Sequence, residues 1–247
     1  MSLTPLALSQ VDTGLHRLAT RYWNWYVLES GGRLTVLDGG LPGDWPEFVT
    51  ALRTVGHTPA DIDAVLITHH HPDHAGNAER LRTDGARVFA HPMDAPYLRG
   101  EKQMSNRAVV KYLWHPWFFL YMCRQLAKGV TRTPPIAKLD ELQDGEVLDV
   151  PGRPRVLHAP GHTAGSCALF LEEQSVLLTG DALVTLDMAR GRRTGPQIVR
   201  GAWTEDADLA LQSLDALAAT KAEKVLPGHG EPWLDGVKSA VDIARTS

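Results

Sequence analysis

The segment His69-His70-His71-Pro72-Asp73-His74 constrains this chain more than any other, because it holds four candidate metal ligands within six residues. In an extended segment alternate side chains share a face, so His69 and His71 can point together while His70 points away. Pro72 helps to stop the extended run, and Asp73 and His74 then approach from a turn in a different direction. Two imidazoles on one side and a carboxylate with an imidazole on the other suit two adjacent metal ions better than one.

Three later loops each offer one further ligand, and each loop follows a predicted strand. The ligands are His162 in Pro160-Gly161-His162-Thr163, Asp181 in Thr179-Gly180-Asp181, and His229 in Pro227-Gly228-His229-Gly230. The glycine before each ligand lets the backbone approach closely, and strand ends are rigid positions for a metal site. A lone histidine after a strand is more often structural or solvated. Five histidines and two aspartates together predict a metal centre.

The composition excludes several classes of protein. The chain has 247 residues, of which 43% are hydrophobic and 22% are charged, and this is typical of a globular protein with one large domain or two small ones. Because 25 basic and 29 acidic residues are mixed to a net charge of −4, neither nucleic acid nor an anionic membrane is expected as the main partner. The two cysteines, Cys123 and Cys167, cannot build a disulfide framework.

The N-terminal sequence and the hydropathy indicate a cytoplasmic protein. Residues 1–10 carry no basic segment followed by a long apolar core, so no signal peptide is expected. No uninterrupted apolar stretch reaches the roughly 18 residues of a membrane-spanning helix, so no stable membrane insertion is expected.

Strands and helices alternate in both halves of the chain. Tyr22–Leu28 and Arg33–Leu37 read as a hairpin around Ser30-Gly31-Gly32, and the apolar strand Asp63–Ile67 leads directly into the histidine motif. The second half has a similar alternation of strands and helices. Strands are predicted at Arg155–His158, Cys167–Leu171, Val176–Leu178 and Lys224–Leu226, and a helix is predicted at Asp206–Ala219.

A different kind of segment separates the halves, at about residues 101–135. It contains the helix-like, aromatic run Trp114–Cys123, flanked by Lys111, Arg124 and Lys128. Core packing or a homodimer surface, a lid or substrate pocket over the metals, and a membrane-surface helix are the three interpretations of this insertion.

The motifs together resemble the five-motif signature of the metallo-β-lactamase superfamily. They are Leu37-Asp38-Gly39-Gly40, Thr68–His74, Pro160–Thr163, Gly180-Asp181 and Gly228-His229, in the right order over nearly the whole chain. The resemblance implies an α+β fold, the αββα four-layer sandwich of two mixed β-sheets flanked by helices. It implies a single domain over residues 1–247, with the insertion at about 101–135 and the metals at one edge.

The resemblance also assigns the ligands. It implies that His69, His71 and His162 hold one ion, that Asp73, His74 and His229 hold a second, and that Asp181 bridges the two beside a shared water or hydroxide. Two divalent ions are therefore expected. Zinc suits this thiolate-free shell, and iron and manganese also accept imidazole and carboxylate. Asp73 is the candidate catalytic residue, to orient the water or pass a proton to the leaving group, and Asp38 is expected to support the site without binding metal.

The bridging aspartate narrows the expected substrates. Glyoxalase II-like thioesterases and lactonases have this carboxylate, whereas true β-lactamases usually lack it. N-acyl-homoserine lactonases place a catalytic tyrosine after it. No tyrosine follows Tyr121 here, so that assignment requires a tyrosine from the middle of the chain to take the role. Arg190, Arg192 and Arg193 match a glutathione site only loosely. The aromatic insertion favours an apolar substrate. We therefore expect a dinuclear metal-dependent hydrolase that uses a metal-bridging hydroxide on an ester, lactone or thioester with an apolar moiety, acting on a small molecule.

Two other activities on the same fold stay open. One is a mononuclear iron persulfide dioxygenase, and the other is a polyketide cyclase-type enzyme, which would close a ring without hydrolysis. An RNA-processing nuclease is disfavoured by the acidic balance of the chain. A binding module without activity is disfavoured because no ligand of the motif set is missing.

Overall fold

Two mixed β-sheets form the centre of the protein in the computed structural model, which describes residues 6–104, 112, 114–188, 191 and 195–247. In the first sheet the strands follow chain order: β1 (Ala7–Asp12), β2 (Leu15–Ala19), β3 (Asn24–Ser30), β4 (Arg33–Leu37), β5 (Ile62–Leu66), β6 (Arg87–Ala90) and β7 (Asp140–Glu141). The second sheet has the order β11-β10-β9-β8, with β8 (Arg155–His158), β9 (Cys167–Leu171), β10 (Val176–Gly180) and β11 (Lys224–Pro227).

Each sheet combines antiparallel hairpins with parallel crossovers. Strands β1 to β4 pair antiparallel, whereas β4 to β7 pair parallel. In the second sheet β8, β9 and β10 are antiparallel, and β11 joins β10 in parallel after a helical crossover. The parallel strands β4 and β5, and likewise β10 and β11, therefore end at the same edge of their sheet.

Seven α-helices are described, and most of them flank the sheets. They are α1 (Trp45–Thr54), α2 (Pro72–Ala75), α3 (Ala78–Thr83), α4 (Ala95–Leu98), α5 (Pro116–Ala127), α6 (Ala207–Ala219) and α7 (Gly236–Thr246). None of the helices in these described ranges is both long and apolar enough to cross a bilayer.

Alternation along the strands sends one set of side chains between the sheets and the other set towards the helices. On β9, Leu169 and Leu171 belong to the same apolar cluster as Leu66 and Tyr26 of the first sheet, whereas Ala168 belongs to the cluster beneath α6 and α7. Because successive side chains in a strand point to opposite faces, each sheet is apolar on both sides and needs two neighbouring layers.

Separate apolar clusters attach the helices to the outer faces of the sheets. Phe48 of α1, Leu81 of α3 and Phe118 of α5 belong to the cluster on the first sheet. Leu214 of α6 and Val241 of α7 belong to the cluster on the second sheet. The layers therefore follow the order helices, sheet, sheet, helices, and the predicted αββα fold is confirmed.

The predicted hairpin lies near its expected position. The hairpin pairs β3 with β4 around Gly31 and Gly32, whose φ angles of 61° and 76° meet the demand of a tight two-residue turn. Helix α5 lies within the predicted insertion, between β6 and β7. Lys111 lies outside the described residues.

Candidate metal centre

The seven predicted ligands lie together at the edge where the parallel strands end. His69 and His71 follow β5, and Pro72 at the first position of α2 starts the short helix that carries Asp73 and His74. His162 lies in the β8–β9 loop, Asp181 follows β10, and His229 follows β11. Three groups of potential metal ligands result: His69, His71 and His162; Asp73, His74 and His229; and His69, His74 and Asp181.

The first group consists of three histidine rings whose nitrogens point at one another. Nδ1 of His71 lies 3.0 Å from Nε2 of His69 and 3.0 Å from Nε2 of His162. The planes of these rings are almost perpendicular, at 81° and 89°. Burial lowers the pKa of His162 to about 4, so its ring is neutral at physiological pH. Neutral imidazoles with converging nitrogens are the form in which histidine binds a metal.

Asp181 contacts both groups of ligands. Its Oδ2 lies 3.1 Å from Nε2 of His229 and 3.5 Å from Nε2 of His162, and its Oδ1 lies 3.5 Å from Nε2 of His74. Asp73 completes the second group, with Oδ2 3.7 Å from Nε2 of His229. A carboxylate in this position can be shared by two cations.

The outward-facing nitrogens of four ligand rings have partners that orient them. His74 Nδ1 lies 2.8 Å from Asp38 Oδ2, and His229 Nδ1 donates to the backbone carbonyl of Tyr22 at 2.5 Å. His69 Nδ1 lies 3.1 Å from the Thr68 hydroxyl, and His162 Nδ1 lies 3.3 Å from the Thr204 hydroxyl. Such contacts fix the ring orientation and leave Nε2 for the centre of the site.

Asp38 belongs to none of the three ligand groups but contacts the outward-facing nitrogen of His74. It accepts hydrogen bonds from the Thr68 amide at 2.8 Å and from the Thr68 hydroxyl at 2.9 and 3.0 Å, besides its contact with His74. Its φ of 64° lies in the left-handed region, where a residue other than glycine needs local support. The Asp38 carboxylate thus connects the loop after β4 to the histidine motif through Thr68 and His74.

Two buried atoms at the centre of the site have no hydrogen-bond partner among the described residues. They are Nε2 of His74 and Oδ1 of Asp181. A buried polar group without a partner costs about 1–3 kcal/mol, and more when it is charged. A cation between them would satisfy both, so these residues fit a metal. A Cβ on Gly228 would lie only 2.5 Å from Asp181 Oδ1, so glycine keeps this space open.

The charges of the site favour a cation. Burial opposes ionisation of Asp181, but the neighbouring His229 and His74 hold the pKa of this carboxyl far below its usual range. Burial also opposes protonation of His74, yet the carboxylates of Asp38 and Asp181 outweigh it and raise the pKa of His74 to about 10. The carboxylates of Asp38 and Asp181 thus favour a positive charge at His74, whose Nε2 faces Asp181.

His70 points away from the ligands, as predicted. Its ring stacks on Tyr97 with centroids 4.2 Å apart, and its Nδ1 lies 3.0 Å from Oδ2 of Asp94. The same oxygen accepts hydrogen bonds from the His70 amide and from the Thr163 hydroxyl, both at 2.8 Å. No motif surrounds Asp94, so the sequence alone gives no sign of this contact.

Tyr121 and Gln125 of α5 also reach the site. A lid or pocket over the metals is one interpretation of the run Trp114–Cys123, but neither residue is assigned a role from the sequence. The Tyr121 hydroxyl donates to Asp73 Oδ2 at 3.3 Å, and the Gln125 amide lies 3.4 Å from the same oxygen and donates to Tyr121. Burial and the nearby carboxylates of Asp73 and Asp181 raise the pKa of Tyr121 well above 10, so the phenol keeps its proton. The only sequence signal for this role is the three- and four-residue spacing of Phe118, Tyr121 and Gln125, which places them on one helical face.

A cavity of about 420 Å³ opens over the ligands. Its floor contains ligands from both groups, and its walls are mostly apolar. The wall residues include Met104, Tyr121, Met122, Leu126, Val130, Met188, Val199 and Trp203. The three arginines weighed as a glutathione site, Arg190, Arg192 and Arg193, lie outside the described residues.

Known proteins resemble this chain in sequence and in fold. A crystal structure of a metallo-beta-lactamase family protein from Thermus thermophilus has a TM-score of 0.70, with 29% identity over 95% of this chain and 79% of that one. The probable metallo-hydrolase YflN of Bacillus subtilis is 23% identical over 89% of this chain and 84% of its own length. The acyl-coenzyme A thioesterase MBLAC2 of Gallus gallus is 26% identical over 83% of this chain and 72% of its own.

The family to which the chain belongs is shown by a sequence match that covers most of its length. The sequence model of the metallo-beta-lactamase superfamily matches residues 20–229, which include all seven candidate ligands and Asp38. The chain is thus a member of the metallo-β-lactamase superfamily.

Proposed function

We propose that this protein is a dinuclear metal-dependent hydrolase that cleaves an ester, lactone or thioester bond next to an apolar group. The observation that carries the proposal is the cavity in which apolar walls stand directly over two groups of ligands joined by Asp181. A metal centre without such walls would not select an apolar substrate, and an apolar pocket without ligands would not activate water.

The residues fit two cations better than one. The first group offers three histidines and the second offers two histidines and Asp73, while Asp181 touches both. Bound here, two divalent ions such as Zn²⁺ would supply an activated water at neutral pH and polarise the carbonyl of the substrate. In a mononuclear site only one of these groups of potential ligands would bind an ion, and the other would be left without one. This disfavours the single-iron alternative.

Asp73 and Tyr121 are the residues that we assign to proton movement. Asp73 Oδ2 faces the centre beside His229 and accepts the hydrogen bond of the Tyr121 hydroxyl. In that position its carboxylate can orient the attacking water. The phenol of Tyr121 is neutral and lines the cavity, so it can donate a hydrogen bond to the oxygen or sulfur that leaves.

The walls favour a flexible aliphatic or aromatic acyl group. Met104, Met122 and Met188 contribute thioether side chains, which adapt their shape to irregular apolar ligands. The name of the Gallus gallus relative, an acyl-coenzyme A thioesterase, supports a thioester of this kind among the candidate substrates.

Metal analysis combined with a hydrolysis panel tests the proposal. The panel contains p-nitrophenyl esters of increasing acyl length, lactones, acyl-coenzyme A thioesters, S-lactoylglutathione and nitrocefin. We expect about two metal ions per chain and turnover that rises with the length of the acyl chain. His229→Ala should lose metal and activity, whereas His57→Ala, remote from the ligands, should keep both. Fewer than about two ions per chain, together with no turnover of any substrate, would contradict the proposal.

A further inference from the structure

Helix α5 exposes an uninterrupted apolar face. The residues of this helix that point to solvent recur at intervals of one, three or four, as expected for one side of a helix. We call them the apolar face, and they are Pro116, Phe119, Leu120, Cys123, Leu126 and Ala127. Phe119 is 54% exposed and Leu126 is 56% exposed, and Trp114, just before the helix, is 81% exposed. A surface of this kind marks a contact with another apolar body.

The opposite side of α5 is fixed to the protein. Phe118 is fully buried in the cluster on the first sheet, and Tyr121 and Gln125 point to the metal site. The helix therefore cannot turn its apolar face inward without giving up these contacts. The exposed face is therefore a property of the folded protein.

The segment that carries α5 has a charge opposite to that of the rest of the chain. Residues 101–135 contain six basic residues and one acidic residue, whereas the remainder contains 19 basic and 28 acidic residues. The net charge of −4 is thus the sum of a basic insertion and an acidic body. The net charge alone predicts that an anionic membrane is not a partner. That prediction does not consider that the basic residues are concentrated in the insertion.

Basic side chains from the insertion and from elsewhere in the chain lie close to the apolar face. Arg124 is on α5 itself, and Arg132 is exposed in the 3-10 turn Val130–Arg132 that follows it. The guanidinium of Arg21 lies 4.7 Å from the ring centroid of Trp117, also on α5. Neither Arg124 nor Arg132 has a carboxylate partner in the described part of the chain.

Lys128 is the exception among the basic residues of the helix end. Its amino group lies 3.0 Å from Asp44 and 2.7 Å from Glu47, so its charge is already neutralised within the protein. The charge available to a partner therefore comes from the arginines around the face rather than from this lysine.

We propose that the apolar face of α5 docks on the surface of an anionic lipid bilayer. Aromatic and leucine side chains on one face with basic residues beside them are the pattern of a helix that lies in the membrane interface. Phe119, Leu120 and Leu126 would enter the boundary between headgroups and acyl chains. The nearby arginines would contact lipid phosphates, each contributing attraction to a negatively charged leaflet.

A homodimer through the same face is the less suitable occupant. In a two-fold dimer the same patch meets itself, so two copies of the basic segment would face each other. Like charges at such an interface repel, whereas an anionic bilayer complements them.

The apolar face is continuous with the cavity over the metal ligands. Leu126 belongs to both, and Met122, on the next turn of α5, lines the cavity. A bilayer against this face would therefore lie beside the mouth of the cavity. The docking proposal does not depend on which bond the metal site cleaves, so it can fail or succeed independently of the proposed hydrolase activity.

Vesicle co-sedimentation with the full chain tests the proposal. We expect the protein to bind phosphatidylcholine vesicles containing phosphatidylglycerol, and binding to weaken as salt rises because the attraction is screened. The double substitution Phe119→Ser with Leu120→Ser should lower the partition coefficient by about tenfold or more. Arg124→Glu with Arg132→Glu should lower it by about tenfold on anionic vesicles only.

Two control substitutions and a measurement of oligomeric state distinguish a bilayer from a second copy of the chain. Leu234→Ser and Lys238→Glu change an exposed leucine and an exposed lysine remote from α5 and should leave binding unchanged. Thermal unfolding of every variant checks the fold. Absence of wild-type binding, or equal binding to neutral and anionic vesicles, would overturn the proposal. A wild-type dimer in light scattering that Phe119→Ser with Leu120→Ser dissociates, without vesicle binding, would overturn it in favour of the homodimer.

Discussion

The Thr163 hydroxyl donates a 2.8 Å hydrogen bond to Oδ2 of Asp94, a buried carboxylate that also accepts the amide hydrogen of His70 at 2.8 Å. The amide of Gly165 donates to its Oδ1 at 2.8 Å. Thr163 follows His162, and His70 lies between His69 and His71. Asp94 therefore joins, through one side chain, the two loops that carry the first group of ligands.

Asp94→Ala should loosen that first group. Without the carboxylate, the two loops lose a shared anchor and three buried donors lose their acceptor, so metal affinity at His69, His71 and His162 should fall by about 10–100-fold. Equilibrium dialysis against Co²⁺ or Zn²⁺ measures the loss. Asp94→Asn, which keeps one acceptor oxygen, should fall between wild type and Asp94→Ala. Unchanged affinity in both variants would show that Asp94 has no positioning role.

Asp38→Asn should act on the second group instead. Asp38 holds Nδ1 of His74 through a charged contact of 2.8 Å, and an amide nitrogen in that place would oppose the N–H of the ring. Affinity for the second ion should fall by about 10–100-fold while the first ion is retained. Metal content after dialysis against a weak chelator distinguishes the sites, and Asp63→Asn at the surface is the matched control. Equal loss of both ions would refute the separate assignment.

The convergence of the candidate ligands at the strand ends could be predicted because the information is local. Each of His162, Asp181 and His229 follows an apolar strand and a glycine, and parallel strands end at one edge, so short-range signals suffice to bring the ligands together. The hairpin of β3 and β4 was predictable for the same reason, since its two strands and its Gly31-Gly32 turn are adjacent in the chain.

The contributions of Tyr121 and Asp94 could not be predicted because they depend on long-range packing. The spacing of α5 shows that Tyr121 shares a face with Phe118, but nothing local indicates that this face covers Asp73. Strand β1 is not predicted for another reason. All residues of Ala7–Asp12 are exposed or half-buried, so the segment lacks the apolar alternation of an inner strand. Its strand conformation depends on pairing with β2.

The second ion should be lost before the first as pH falls. His74, with its pKa raised to about 10, carries a proton at neutral pH that a metal must displace, whereas His162, with its pKa lowered to about 4, does not. Protons compete with the metal for His74, so the metal affinity of the second site should fall about tenfold for each pH unit below about 10. Protons compete for His162 only near about pH 4. Dialysis followed by metal analysis should give about two ions per chain near pH 8 and about one near pH 5.5. Simultaneous loss of both ions would contradict this order.

Tyr121→Phe should slow hydrolysis most for substrates with poor leaving groups. The change removes only the hydroxyl that lies 3.3 Å from Asp73 Oδ2. If that hydroxyl donates to the departing atom, kcat should fall by about 10–100-fold for an alkyl ester and by much less for a p-nitrophenyl ester, whose leaving group needs no proton. A series of esters with leaving groups of different pKa measures the slope, and metal content should be unchanged. Tyr97→Phe, which stacks on His70 outside the ligand groups, is the control. An equal loss across the series, or a loss of metal, would make Tyr121 a support of Asp73 rather than a donor to the leaving group.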